Sequence, residues 1–69
     1  MAVIKTLDLV GVSETSWEDA ARQALAEASK TIRAIESVDV LEQTAIVGES
    51  AEIAEYHTHV QIHFRLERR

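Results

Sequence analysis

The chain contains no cysteine, so neither a disulfide framework nor a thiolate zinc site can be built from it. Glycine occurs only at Gly11 and Gly48, which are too few and too far apart for a glycine-rich loop that cradles phosphate. Basic residues are outnumbered seven to twelve by acidic ones, for a formal net charge of −5. They are also scattered, and the one adjacent pair, Arg68-Arg69, is expected to be solvated. Binding to nucleic acid rests on neutralising phosphates, so no nucleic-acid partner is expected. No apolar run approaches the ~20 residues of a membrane helix, so no membrane partner is expected either. The opening Met1-Ala2-Val3-Ile4-Lys5 lacks the order of a secretory signal, and a cytoplasmic location is expected.

What is present is a short, strongly patterned chain of 69 residues, 46% of them apolar. That length predicts a single domain over residues 1–69. A fold of this size hides only ~60% of the surface of its unfolded chain. Such domains commonly draw on disulfides, a structural metal or partner subunits. Self-association is therefore expected.

Residues 3–10, Val-Ile-Lys-Thr-Leu-Asp-Leu-Val, are rich in apolar and β-branched types and too short for a buried helix, and they read as a strand. Ser13-Glu14-Thr15-Ser16 breaks that pattern with helix-capping residues, and Thr15 with Glu18 has the spacing of a capping box. Apolar residues then recur at Trp17, Ala20, Ala21, Ala24, Leu25, Ala28, Ile32 and Ile35, which predicts a helix over about 16–36. Its alanines permit close approach to a sheet, and Trp17 is expected to pack in the core or an interface.

From Ser37 the period becomes two. Val38, Val40 and Ile46 are assigned to one face, and Ser37, Asp39 and Gln43 to the other. Gly48-Glu49-Ser50-Ala51-Glu52 supplies a turn. The last strand alternates Tyr56, Thr58, Val60, Ile62, Phe64 and Leu66 against His57, His59, Gln61, His63 and Arg65. The reading is α+β: βαββ, with three antiparallel strands packed on one helix.

Catalytic groups are scarce, and the chain is not expected to be an enzyme. Ser13, Thr15 and Ser16 are explained by capping, and Glu49 and Glu52 by a solvated turn. His57, His59 and His63 share a strand face, and neutral imidazoles suit transition metals. The alternative is a polar outer face that holds no metal. Acidification towards pH 5 is expected to gather positive charge on these rings and loosen an assembly, with zinc or nickel opposing the change.

Laid out in order, the chain resembles the dodecins. The resemblance rests on the opening strand into Leu9-Val10-Gly11-Val12-Ser13, the capped alanine-rich helix, and Thr31-Ile32-Arg33. It continues through Tyr56 to Val60 and Phe64-Arg65-Leu66-Glu67. It implies a non-catalytic hollow shell of twelve identical subunits that stores or binds a small ligand, commonly a flavin. It places a flavin pocket at Ser37, Asp39, Gln43, Thr44 and His57. In flavin-binding dodecins a stacking tryptophan stands at the position of Ser37, a hydrogen-bonding glutamine at that of His57, and many bacterial members have an arginine at that of Thr44. Flavin binding is therefore expected to be weak or lost. Thr15-Ser16-Trp17-Glu18 and Val40-Leu41-Glu42-Gln43 are similar to a branch that lacks the tryptophan and is described as calcium-binding. Asp39, Glu42, Glu49 and Glu52 are the candidate calcium ligands, in a site shared between subunits.

Overall fold

The computed structural model describes residues 2–67; the Arg68-Arg69 pair lies outside them. The element order is β1 (Ala2–Ser13), α1 (Trp17–Ser29), β2 (Ile35–Val47) and β3 (Ile53–Glu67). The strands form one antiparallel sheet in the order β1-β3-β2, so the last strand lies in the centre.

The helix begins within one residue of its expected start, but with different capping residues. The Ser16 side chain, not that of Thr15, accepts the N–H of Asp19 at 3.0 Å. Ser13 supports this cap. Its hydroxyl accepts from the Thr15 N–H at 2.9 Å and donates to Asp19 Oδ2 at 2.7 Å. The acidic first turn, Glu18 and Asp19, suits the positive end of the helix dipole.

The helix ends at Ser29, six residues before the apolar period stops at Ile35. The N–H groups of Lys30 and Thr31 reach back only three residues, to Glu27 and Ala28, as in a tightening last turn. Ala34 then adopts a left-handed φ of 61°, which turns the chain into β2. Ile32 and Ile35 still pack on the core, but from the connection and the new strand. A left-handed alanine costs about 1–2 kcal/mol, while glycine there adds about 0.5–1 kcal/mol of chain entropy to lose. Ala34→Gly is accordingly expected to raise stability by about 0.5 kcal/mol, read as a small upward shift of the thermal midpoint.

The buried core is small: Ala20, Ala24 and Ala28 of the helix against Val60 and Ile62 of the central strand. Thr58 is also fully buried, and its hydroxyl donates to the Trp17 carbonyl at 2.8 Å. Leu9, Ile32, Ile35 and Val38 close around this core. Gly11 pairs with Thr58 on this face, and a Cβ there would lie 1.8 Å from the Ala20 carbonyl oxygen. The helix backbone therefore rests directly on β1.

A helix of 13 residues is about 20 Å long, whereas the 15-residue strand β3 runs about 50 Å. The helix thus covers less than half of one sheet face. Val3, Val10, Val12, Val40, Val47 and Ile53 are among the large apolar side chains left exposed.

The register of β2 departs from simple alternation. Pairing with β3 shifts between Val40 and Glu42, with Leu41 as the extra residue of a bulge. A bulge reverses which parity faces the core. Gln43 therefore pairs with Thr58 on the helix side, and Ile46 with Glu55 on the opposite side. Both assignments made from uninterrupted alternation are corrected.

The helix-free face of the sheet as candidate functional site

Because Thr58, Val60 and Ile62 face the helix, His57, His59, Gln61 and His63 project from the other side of β3. Cross-strand pairing adds Thr6, Asp8, Val10 and Val12 from β1, and Ser37, Asp39, Glu42 and Thr44 from β2. This helix-free face holds most of the candidate residues.

The candidates do not converge within one subunit. Thr44 pairs with His57 at one end, and Ser37 pairs with His63 at the other. Six residues of strand separate these ends, about 20 Å. Asp39 lies at the Ser37 end, opposite Gln61, while Gln43 has been carried to the helix side by the bulge. Among the carboxylates, Glu42 faces His59, and Glu52 belongs to the hairpin turn. There Glu52 Oε1 accepts the Ser50 N–H at 3.0 Å and its carbonyl accepts the Gly48 N–H at 2.8 Å. Glu49 is exposed in the same turn. Among the described residues, no three His, Asp or Glu side chains come together closely enough to hold a metal ion.

Each imidazole instead faces a carboxylate. His57 Nε2 lies 3.0 Å from Glu55 Oε1, His59 Nε2 3.2 Å from Asp8 Oδ2, and His63 Nε2 3.0 Å from Asp39 Oδ2. Gln61 donates to the other Asp8 oxygen at 3.2 Å. Asp8 and Glu55 are the residues that sequence reasoning did not assign to this face, whereas Gln61 stands where strand alternation put it. The Asp8 contacts follow from the β1–β3 register, for which no turn or motif in the sequence is a signal, while Glu55 meets His57 two residues along its own strand.

At the edge of the same region Arg65 binds Glu36 through both Nε and an Nη. That hydrogen bond holds the Glu36 carboxyl below its ordinary value of 4.5, with desolvation opposing it and the Arg65 charge assisting. A carboxyl lowered in the folded state stabilises above its unfolded value, and the contribution disappears as the pH falls through the folded one. Glu36→Gln is expected to unfold slightly more easily than the wild type near neutrality. The two should coincide in strong acid, as thermal melts across that range would show.

The three aromatic residues of the chain, Trp17, Tyr56 and Phe64, all belong to the helix side. Trp17 meets Tyr56 edge to face at 5.0 Å between ring centres, and its Nε1–H donates to the Thr44 carbonyl at 3.2 Å. Phe64 pairs with Lys5 and Ile35 on that side. The helix-free face consequently offers imidazoles, hydrogen-bonding and charged groups but no Trp, Tyr or Phe ring for stacking. A groove of about 330 Å³ opens elsewhere, between β1 and α1, lined by Leu9, Val10, Gly11 and Val12 against Gln23, Ala24 and Glu27. None of the candidate ligand residues lines it.

Residues 3–67 match the family model for dodecin. The chain is 42% identical over 65 residues to a dodecin of Thermus thermophilus, covering 94% of this chain and 93% of that one. It is 33% identical over 66 residues to the calcium dodecin of Mycobacterium tuberculosis, covering 96% and 92%. A crystal structure of a Thermus thermophilus protein superposes over the full length of both chains, with a TM-score of 0.91 and 38% identity. The Mycobacterium tuberculosis calcium dodecin, described as a calcium-chelating antigen with a novel calcium-binding site, superposes with a TM-score of 0.79 and 31% identity over 97% of this chain and 91% of that one. With the same βαββ order and matches spanning nearly all of its length, this chain belongs to the dodecin family.

Proposed function

We propose that this protein is a non-catalytic, cytoplasmic small-ligand binding or storage shell of twelve identical subunits, with weak or lost flavin binding. The observation that carries the ligand part is that the helix-free face has no Trp, Tyr or Phe ring, and that Ser37 of β2 and His57 of β3 stand about 20 Å apart along the strand direction. A flavin ring system bound there would lose the stacking contribution of about 0.5–1.5 kcal/mol that an aromatic partner adds beyond area burial. Two subunits would have to bring opposite ends of their sheets together to surround one ligand.

Self-assembly is supported by the small core and by the apolar residues beyond the reach of the helix. Exposed clusters of this kind mark surfaces that a partner covers. Both outer strands, β1 and β2, present unpaired edges in the isolated chain. Riboflavin fluorescence titration tests the ligand part: weak or absent quenching is expected, and nanomolar affinity would overturn it.

Calcium is the second reading, favoured by the described calcium-binding site of the Mycobacterium tuberculosis relative. Asp39, Glu42, Glu49 and Glu52 do not converge in one subunit, so calcium, which needs six to eight oxygens, would bind between subunits. Removal of calcium by a chelator would then change the subunit count of the particle. An unchanged particle with no bound calcium would remove this reading.

A further inference from the structure

We propose that two copies of this chain join edge to edge through β1, antiparallel about a two-fold axis at Leu9, with Leu7 of each copy seated over Gly11 of the other. This pairing presupposes the self-assembly put forward above and gives it a surface. Two three-stranded sheets then continue as one.

The two outer strands, β1 and β2, differ as edges. β2 shifts register against β3 at three places and carries Glu36, Asp39 and Glu42 with no basic residue. Bulges and charge both guard an edge against pairing, and two strands so acidic would repel each other. β1 instead pairs with β3 residue for residue from Ala2 to Ser13, without a shift. Its charged residues are Lys5 and Asp8, of opposite sign. Its outward backbone groups bond to no other segment among the described residues. So regular an edge is a template for a further strand.

Shape and charge make that strand a second β1. The groove of about 330 Å³ beside this edge is lined by β1 and α1 and by no residue of β3, so it opens on the outer side of β1. Gly11 leaves room there because it has no side chain. An axis at Leu9 sets Leu7 opposite the other copy's Gly11, and paired residues share a face. Leu7 is 37% exposed on the helix side, and it crosses into the space above that glycine. The same register sets Lys5 opposite Ser13, whose hydroxyl is bound to Asp19 at the acidic start of the helix. Lys5 has no ion pair within its own subunit among the described residues. Across the axis it meets Asp19 and Glu14 of the other copy, and symmetry makes the contact twice. Asp8 falls opposite Val10, so no like charges are opposed. An axis at Lys5 or at Asp8 would set identical charges against each other.

Disulfide trapping tests this pairing, since the chain has no cysteine of its own. Thr6 and Val12 are exposed and come opposite each other across the axis, at a spacing that a disulfide can bridge. Within one chain they stand about 20 Å apart, as do two copies of either residue across the axis. Under mild oxidation, Thr6→Cys/Val12→Cys is expected to give cross-linked dimers on non-reducing denaturing electrophoresis. Either cysteine alone should give single chains. Native mass spectrometry of the wild type is read beside it. A twelve-chain particle whose double variant does not cross-link overturns the β1 pairing and leaves the shell standing. Cross-linked pairs without a twelve-chain particle keep the pairing and overturn the shell, and a folded wild-type monomer overturns both. If the cysteine variant does not fold, Lys5→Glu decides, with its fold checked by circular dichroism. It is expected to raise the concentration at which the particle dissociates roughly tenfold, and an unchanged concentration would overturn the pairing.

Discussion

Gly11→Ala is expected to lower the thermal midpoint by about 15 °C, the equivalent of roughly 3 kcal/mol in a domain of this size. The added Cβ would lie 1.8 Å from the Ala20 carbonyl oxygen and 2.7 Å from its carbon. Both are backbone atoms of the helix, and neither can swing aside as a side-chain end would. The helix must lift off β1, which opens the packing of Ala20, Ala24 and Ala28 on the central strand. A chain of 69 residues has a total stability of only about 3–10 kcal/mol, so this one methyl removes a large share of it. Gly48→Ala is the control. Its Cβ would meet the Glu52 carboxylate at 1.9 Å, the free end of a flexible side chain that can rotate away. Circular dichroism melts of the two variants should differ sharply; equal midpoints would show that the helix does not rest on Gly11.

The second large effect concerns the ligand. Ser37→Trp combined with His57→Gln is expected to tighten riboflavin binding at least tenfold, a change of about 1.4 kcal/mol. The tryptophan supplies the stacking surface that the helix-free face lacks, worth about 0.5–1.5 kcal/mol besides the area it covers. The glutamine restores a neutral amide with both donor and acceptor atoms, where His57 now sits against Glu55. Because Ser37 and His57 lie at opposite ends of the sheet, each substitution alone should contribute in a site that two subunits share. Fluorescence titration of both single variants and the double variant measures this. No gain in the double variant would show that Ser37 does not border the flavin position.

The fold was largely legible because its period-two and period-3.6 patterns are strong and its polar breaks fall between them. The alternation of Tyr56 to Leu66 gave the two faces of β3, and Ser13 to Ser16 marked the entry to the helix. Three features were hidden. The apolar period ran on through Ile32 and Ile35 although the helix stops at Ser29, since both residues reach the same core from non-helical backbone. The Leu41 bulge shifted register without glycine or any other local marker, moving Gln43 and Ile46 across the sheet. Capping chemistry placed the helix start correctly but could not separate Ser16 with Asp19 from Thr15 with Glu18.

The candidate site was legible as a face and not as a set of partners. Strand parity alone put His57, His59 and His63 together on one side. Their contacts with Asp8 and Asp39 depend on which residues of β1 and β2 come to lie beside β3, and on β3 being central. Those relations are long-range and leave no signature in local composition. They change the chemistry assigned to the histidines, from a converging trio to three separate imidazole–carboxylate pairs.

Native mass spectrometry of the purified protein at micromolar concentration, with riboflavin and calcium offered in turn, tests the central claim most directly. The proposed reading predicts a particle of twelve chains that retains little or no flavin. A stable folded monomer, or a twelve-subunit particle that carries flavin at full occupancy, would contradict it.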